Sequence, residues 1–257
     1  MVRHREFDPW YKLAVAVIKP VLLTFTIKDW RGADNLPGEG GFVVVTNHIS
    51  HIDPFTFAHF MYDHGYLPRF LTKEAVFRTP VVGTVVRGAK QIPVFRETAD
   101  AAASYAAAVD AVNRGECIAV YPEGTLTRDP ELWPMRGKTG AVRIALATGC
   151  PVIPVVQWGA HEILPPYSHR PHLLPRHVSH VWAGPAVDLR RWEGKPVTGS
   201  VVTEATTAVT GALIRMLEQI RGEQAPATVW DPRQHAQPRT GNPHARPGAE
   251  KGAGGRR

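Results

Sequence analysis

An imidazole, a hydroxyl and a carboxylate stand close together in residues 46–54, TNHISHIDP, directly after the apolar run of residues 41–45. His48 and Asp53 are five residues apart, a spacing that a turn followed by a helix start can fold into contact. If Asp53 accepts a hydrogen bond from one ring nitrogen, the other nitrogen is free to take a proton from a substrate hydroxyl. The segment therefore contains a candidate general-base pair.

Three other interpretations compete for the same residues. Asp53 precedes Pro54, and an Asp at the N-cap followed by Pro is a common helix start. Ser50 could be a nucleophile served by His48, although the segment lacks the Gly-x-Ser-x-Gly turn that exposes such a serine. His48, His51 and Asp53 could ligate a metal, although no second cluster supplies an obvious remaining ligand. Taken alone, the segment favours helix capping over catalysis.

Two further segments carry polar groups at the ends of predicted strands. Residues 88–97, GAKQIPVFRE, end a strand with Phe95 and Arg96, where a guanidinium could hold a phosphate bidentately or could simply be a solvated charge. Residues 120–129, VYPEGTLTRD, supply a carboxylate, a flexible glycine, a hydroxyl and a second arginine: Glu123, Gly124, Thr125 and Arg128. A glycine at such a place lets backbone N–H groups approach an anion.

The elements that must position these groups alternate along the chain. Short β-branched runs occupy residues 42–45, 70–71, 92–95, 117–121, 152–156 and 178–183. Helical patterns cover residues 100–113, 137–148 and 203–221. This alternation predicts an α/β fold, a single domain with a mainly parallel mixed sheet covered by helices. Ligands bind beyond the carboxyl ends of the strands in such sheets.

The two ends of the chain differ from this central domain. Residues 10–27 are apolar but contain Lys12, Lys19 and Pro20. We therefore expect an amphipathic helix that lies in a membrane interface or caps the core of the protein, and not a helix that crosses the bilayer. Pro20 should kink or split it. The organisation expected is an interfacial helical segment, an α/β domain that carries the polar segments, and a disordered basic tail: residues 1–30, 31–224 and 225–257.

Composition narrows the class of protein. The formal net charge is +7, and residues 226–257 hold six Lys or Arg against two Asp or Glu, so the folded part is only mildly basic. That balance argues against a dedicated nucleic-acid domain and suits an anionic membrane or a phosphorylated substrate. Cys117 and Cys150 lie in or beside apolar runs, as free thiols of a cytosolic protein commonly do. No secretory signal peptide is expected.

Taken together, the polar segments resemble the glycerolipid acyltransferase family, most closely its bacterial 1-acylglycerol-3-phosphate acyltransferases. Four motifs of the family stand in order between about residues 40 and 160. They are Asn47-His48 with Ser50 and Asp53; Gly88 through Phe95-Arg96; Tyr121-Pro122-Glu123-Gly124-Thr125; and Val152-Ile153-Pro154. The third motif departs from the family pattern, because Leu126 and Thr127 follow where Arg and Ser are usual, and the arginine comes at position 128.

The resemblance implies transfer of a fatty acyl group from acyl-CoA or acyl-carrier protein to the sn-2 hydroxyl of 1-acylglycerol 3-phosphate, giving phosphatidic acid. His48 and Asp53 would be catalytic. The substrate would be bound by Arg96, Glu123, Gly124, Thr125, Arg128 and Lys138, with Arg136 as a further source of positive charge. Asn47, Ser50, Phe95, Pro122 and Pro154 would support the motifs. No metal and no permanently bound cofactor are implied.

The expected partners are a membrane phospholipid surface, a lysophospholipid acceptor and acyl-carrier protein, with no nucleic acid. The expected location is the cytoplasmic side of the cell membrane, peripheral or monotopic. Three alternatives stay open: an acyltransferase for another lysophospholipid or glycerolipid acceptor, a lipid hydrolase, and a membrane-bound scaffold without activity.

Overall fold

A mixed β-sheet runs through the centre of the protein, which a computed structural model describes for residues 9–94 and 101–235, without the side chain of Ala101. Its strands within those residues are β1 (Thr26–Arg31), β2 (Phe42–Thr46), β3 (Arg69–Lys73), β4 (Ile92–Val94), β5 (Cys117–Val120), β6 (Val152–Trp158) and β7 (His177–Ala183). Their order is β1-β7-β6-β2-β5-β3-β4. Neighbouring strands are parallel except β6 and β7, which are antiparallel. The predicted mainly parallel mixed sheet is confirmed.

Helices cover both faces of this sheet. In the same residues they are α1 (Pro9–Phe25), α2 (Asp53–Asp63), α3 (Glu74–Phe77), α4 (Val82–Gly88), α5 (Ala101–Asn113), α6 (Gly140–Thr148), α7 (Ala160–Ile163) and α8 (Gly199–Arg221). Apolar side chains of α5, α6 and α8 form one core against the sheet. Those of α2 form a second core on the opposite face.

Strand β2 lies in the middle of the sheet and carries the polar segment at its carboxyl end. Val43 and Val45 belong to the core of α5, α6 and α8, whereas Phe42 and Val44 belong to the core of α2. Because both faces of β2 are covered, a continuous apolar run is favourable there, as it is in parallel sheets generally. The prediction of a buried strand at residues 42–45 is confirmed.

Several element boundaries differ from those predicted. Helix α6 begins at Gly140, not at 137, because the N–H of Lys138 donates to the carbonyl of Pro122 and holds that stretch in a loop. Helix α8 begins at Gly199, earlier than 203, where the Thr198 hydroxyl accepts the N–H of Val201 as an N-cap. Phe95, at the end of the strand predicted at residues 92–95, lies outside the described residues.

The N-terminal helical segment is shorter than predicted. Helix α1 ends at Phe25, and the chain continues as edge strand β1, which pairs with β7. Residues 26–30 therefore belong to the sheet and not to the helix. Helix α1 runs through Pro20 without being split in two. In the part of the chain that the structure describes, none of the helices has the length and apolar character needed to cross a bilayer.

The start of the predicted disordered tail is ordered against the domain. Arg136 donates to the buried carboxylate of Asp231 at 3.1 Å, and the N–H of Arg136 donates to the carbonyl of Trp230. Pro232–His235 forms a short 3-10 helix. The ordering of residues 225–235 corrects that part of the prediction, because two hydrogen bonds tie the segment to the loop after β5. Residues 236–257 lie outside the described residues.

Candidate active site

The carboxyl ends of three adjacent strands bring the polar segments together. His48 follows β2, Tyr121 follows β5, and Gln157 lies near the end of β6. These strands are neighbours and run parallel, so their carboxyl ends lie on one edge of the sheet. This is the edge at which open α/β sheets bind ligands.

His48 and Asp53 are in contact, as their spacing predicts. Nδ1 of His48 lies 3.0 Å from Oδ2 of Asp53. The Asp53 side chain is fully buried, whereas 16% of the His48 side chain is exposed. No residue of the described part of the chain hydrogen-bonds Nε2 of His48. The carboxylate therefore holds the ring with its outer nitrogen available to accept a proton.

The carboxylate of Asp53 points back along the chain and does not cap helix α2. Its Oδ2 also accepts the backbone N–H groups of Ile49 at 2.6 Å and Ser50 at 2.7 Å. The N–H groups of Phe55 and Thr56, in the first turn, donate to the carbonyl of Ile52 instead. The competing helix-cap interpretation of Asp53 is therefore wrong, although α2 does begin at this residue.

The hydroxyl of Ser50 is used by the loop itself. It is buried, donates to the carbonyl of Leu164 at 2.8 Å and accepts the N–H of Ile52 at 3.2 Å. These bonds do not support Ser50 as a nucleophile served by His48. His51 is exposed, and the described ranges bring no three or more His, Cys, Asp or Glu together in a way that could hold a metal ion.

Glu123 joins the loop after β5 to the loop of His48. It is buried, and its Oε1 and Oε2 accept the backbone N–H groups of His48 and Met135, each at 3.1 Å. Burial raises the pKa of Glu123 to about 8, although the two backbone hydrogen bonds oppose that change. Both oxygens are thus engaged with the backbone and lie away from solvent.

Thr127 makes a second connection between the two loops. Its N–H donates to the carbonyl of His48 at 2.7 Å, and its hydroxyl donates to the carbonyl of Trp133 at 2.7 Å. The loop after β5 therefore holds the backbone of His48 at both polar groups: Glu123 accepts its N–H, and the N–H of Thr127 donates to its C=O. Thr127 stands at a position where the family pattern usually has another residue. In this chain its two hydrogen bonds hold the loop after β5 against the segment of His48.

The predicted phosphate-binding residues differ in how far they are exposed to solvent. Gly124 has a φ of +69°, and a Cβ built there would lie 2.7 Å from Nζ of Lys138, so the glycine leaves room for that ammonium. Thr125 is partly exposed and Lys138 is exposed, whereas only 6% of Arg128 is exposed. Of Arg128 and Lys138, the lysine is the cation accessible to a phosphate. Arg96 lies outside the described residues.

The remaining motif residues have structural contacts. Asn47 is buried, and its amide pairs with both backbone groups of Gln157, at 2.8 Å and 2.9 Å. Pro122 is buried and its carbonyl accepts the N–H of Lys138. Pro154 lies within β6, beside Val45 of β2. The polar contacts described for these residues are to the protein backbone, so they support the structure of the site.

Two features of this site were not predicted from the sequence: the presence of Gln157 and the contact of the Tyr121 ring with His48. The Tyr121 ring lies against the His48 ring, with centroids 4.2 Å apart. The Gln157 side chain is buried below them and hydrogen-bonds three side chains. The signal that could have found Gln157 is its place in the apolar strand VIPVVQW, since buried polar side chains need specific partners.

Comparisons with known proteins agree with this fold. The family model for Acyltransferase matches residues 29–158, just over half of the 257 residues. The chloroplastic 1-acyl-sn-glycerol-3-phosphate acyltransferase BAT2 of Brassica napus is 31% identical over 139 residues, which are 53% of this chain and 39% of that protein. The 1-acyl-sn-glycerol-3-phosphate acyltransferase of Borreliella burgdorferi is 29% identical over 132 residues, 51% of each chain.

A solved structure is similar over most of its length. The 1-acyl-sn-glycerophosphate acyltransferase PlsC of Thermotoga maritima superposes with a TM-score of 0.62 at 21% identity, covering 87% of this chain and 86% of that one. This likeness concerns the fold. The chain spans about half the length, or less, of the two curated relatives. On the family match and the α/β architecture, the chain belongs to the Acyltransferase family.

Proposed function

We propose that this protein transfers a fatty acyl group from a thioester, acyl-CoA or acyl-carrier protein, to the sn-2 hydroxyl of 1-acylglycerol 3-phosphate. The observation that carries the proposal is the 3.0 Å contact between Nδ1 of His48 and buried Asp53, which leaves Nε2 available at the ligand-binding edge of the sheet. The names of the Brassica and Borreliella relatives support this acceptor over others.

In the proposed reaction His48 acts as a general base. Nε2 takes the proton of the acceptor hydroxyl while the hydroxyl oxygen attacks the carbonyl carbon of the thioester. The C–S bond then breaks, the new ester remains, and the thiolate receives the proton from the imidazolium. Asp53 keeps Nδ1 protonated in the resting state and stabilises the positive charge that forms on the ring. No covalent acyl-enzyme is required.

The acceptor phosphate would bind at the loop after β5. Lys138 is exposed beside Gly124, where a Cβ would lie only 2.7 Å from the ammonium, so the absence of a side chain leaves room for it. Charged donors bind phosphate strongly, through hydrogen bonds that contribute about 1.5–3 kcal/mol. Arg96 and Arg128 are further candidates from the family resemblance. Glu123, engaged with two backbone N–H groups, would hold the loop and not touch the phosphate.

A membrane surface would be reached through helix α1. Leu13, Val17 and Val21 are four residues apart and 49%, 63% and 52% exposed, so they form one apolar stripe on the outer face of the helix. Lys19 lies off that stripe, and its ammonium pairs with Asp63 of helix α2. Such a stripe suits peripheral binding to a phospholipid surface, which we place on the cytoplasmic side.

Product analysis tests the proposal. Purified protein is incubated with radiolabelled acyl-CoA or acyl-carrier protein and with 1-acylglycerol 3-phosphate, beside His48→Ala. We expect labelled phosphatidic acid from the parent protein and none from the variant. Faster labelling of a lysophospholipid with a larger head group, or of a phosphate-free monoacylglycerol, would reassign the acceptor. Release of free fatty acid without any transfer would instead identify a hydrolase.

A further inference from the structure

Gln157 is a buried polar side chain in the otherwise apolar strand β6. Only 1% of the residue is exposed. Its Nε2 donates to the hydroxyl of Thr46 at 3.1 Å and to that of Tyr121 at 3.5 Å, and its Oε1 accepts from the hydroxyl of Thr56 at 2.8 Å. One amide thus connects the last residue of β2, the residue that follows β5 and the first turn of α2.

These contacts lie on both sides of the His48–Asp53 pair along the chain. Thr46 stands two residues before His48, and Thr56 stands three residues after Asp53. The Thr56 hydroxyl also lies 3.1 Å from the carbonyl of Asp53. The backbone of Gln157 adds to this connection through the paired hydrogen bonds with Asn47. The three side-chain hydrogen bonds of Gln157 and its backbone pairing with Asn47 therefore all reach the segment of His48 and Asp53 or the ring beside it.

Tyr121 transmits the contact to the imidazole itself. Its ring lies 4.2 Å from the His48 ring, and the Phe70 ring lies parallel to it at 6.4 Å. Burial, and then the charge of Asp53, raises the pKa of the Tyr121 hydroxyl well above its ordinary value, so the group stays neutral. Gln157 holds that hydroxyl and with it the face on which the His48 ring rests.

We propose that Gln157 is a positioning residue for His48, acting through Tyr121 and through the two threonines that flank the catalytic pair. It does not touch substrate or the reacting atoms. A buried amide suits this task because it offers donors and an acceptor without adding a charge next to Asp53. The expected effect on turnover rests on the proposed acyl transfer, whereas the expected effect on the His48 ring does not.

Steady-state kinetics of Gln157→Met test the effect on turnover. Methionine keeps the length and volume of the side chain but none of its three hydrogen bonds. Since displacement of a reacting group by about 1 Å can lower a rate ~100-fold, we expect kcat to fall 10- to 100-fold while KM for both substrates changes less than about twofold. Val155→Ala, on the same strand and fully buried, is the control for lost stability.

Tyr121→Phe provides a second variant that removes only the hydroxyl held by Gln157. If Gln157 acts partly through this hydroxyl, the double variant should lose less activity than the product of the two single losses. Independent, multiplying losses would overturn the route through Tyr121. An unchanged kcat in folded Gln157→Met, or an equal fall of kcat in Val155→Ala, would overturn the positioning role.

Nuclear magnetic resonance of the His48 ring tests the same inference without any substrate. The ring protons of His48, assigned with His48→Asn, should be displaced from their usual frequencies by the ring current of Tyr121. In Gln157→Met and in Tyr121→Phe we expect these signals to move towards the values of a free histidine or to broaden, and in Val155→Ala to stay in place. Unmoved His48 signals in both site variants would contradict the proposal, even if the protein proved to use another acceptor.

Discussion

Oε1 of Glu123 lies 3.1 Å from the backbone nitrogen of His48, and Oε2 of the same carboxyl group lies 3.1 Å from that of Met135. The residue thus connects the segment of His48 to the loop after β5. The resemblance to the acyltransferases suggested substrate binding for Glu123. Its burial and its two backbone partners indicate instead that it holds these two loops at a fixed separation.

The first prediction concerns Glu123→Gln. An amide keeps the size of the side chain but has one acceptor oxygen, so one of the two buried N–H groups would face an NH₂ group. We expect a loss of about 1–3 kcal/mol in the free energy of unfolding, measured by urea denaturation. We also expect a lower kcat with little change in KM. A variant as stable as the parent would mean that one of these two hydrogen bonds is dispensable.

The second prediction concerns pH. Burial raises the pKa of Glu123 from 4.5 to about 8, so between these values the folded chain keeps a proton that the unfolded chain has released. The stabilisation from that proton is complete below pH 4.5, falls as the pH rises and is lost above about pH 8. The difference in unfolding free energy between the parent and Glu123→Gln should therefore shrink between about pH 5 and about pH 8.5. A difference that is constant with pH would show that Glu123 does not titrate in this window.

The third prediction separates the effect of charge from that of geometry in the His48–Asp53 pair, the proposed catalytic groups. In Asp53→Asn, the amide oxygen can still accept from Nδ1 of His48 and from Ile49 and Ser50, because the other carboxylate oxygen has no hydrogen bond in the described part of the chain. The negative charge that stabilises the imidazolium is lost. We expect kcat to fall by about 10²–10⁴ with KM nearly unchanged, and His48→Ala to fall at least as far.

The matched control for this pair is Ser50→Ala. It removes the hydroxyl bonded to Leu164 and Ile52 but neither member of the dyad. We expect a stability loss of about 1 kcal/mol and a kcat within tenfold of the parent. Complete inactivation of a folded Ser50→Ala protein would revive the nucleophile hypothesis.

Much of the sheet could be predicted because its strands are buried on both faces. Short continuous apolar runs such as residues 42–45 and 152–156, alternating with helical patterns, are typical of buried strands in a parallel sheet. Strand β1 was missed because its sequence, TIKDWR, is polar and lies at an edge of the sheet. Two of its charged side chains have partners that are distant in the sequence, Lys28 with Asp63 and Asp29 with His180. The local periodicity of the sequence does not indicate such long-range pairs.

The contact between His48 and Asp53 could be predicted from the sequence, but the residues that hold this pair in place could not. The five-residue spacing of His48 and Asp53 is a local property, so a turn can close it without knowledge of the rest of the fold. The roles of Glu123 and Gln157 depend on which strands become neighbours, since each bonds residues 75 or more positions away. The family resemblance therefore suggested that Glu123 contacts substrate, and no motif in the sequence pointed to Gln157 as a residue of the site.

The fourth prediction concerns the phosphate. Lys138→Ala should raise KM for 1-acylglycerol 3-phosphate about 10- to 100-fold, because a charged hydrogen bond of about 1.5–3 kcal/mol is lost. KM for the acyl donor should change little. Arg96→Ala is expected to act in the same way. Arg190→Ala is a matched control, since that exposed arginine pairs with Asp188, near the amino end of β6. An unchanged acceptor KM in Lys138→Ala would remove this lysine from the phosphate site.

The fifth prediction concerns the membrane. Helix α1 is fastened to α2 by Asp63, whose carboxylate accepts from both Lys19 and Lys28, and this leaves the Leu13–Val17–Val21 stripe facing outward. Burying such side chains in lipid contributes about 25 cal/mol per Å². Val17→Asp removes that gain and places a charge in the stripe, so we expect at least a tenfold loss of binding to anionic vesicles in a flotation assay.

Two comparisons make the membrane prediction specific to this helix. Val197→Asp changes a valine that is 44% exposed and lies outside α1, so it should leave vesicle binding unchanged. Turnover of a short-chain acceptor dissolved in water should be the same in Val17→Asp as in the parent, because the His48–Asp53 pair is not altered. Undiminished vesicle binding by Val17→Asp would mean that another surface holds the membrane. Equal losses in both valine variants would instead point to non-specific attraction governed by net charge.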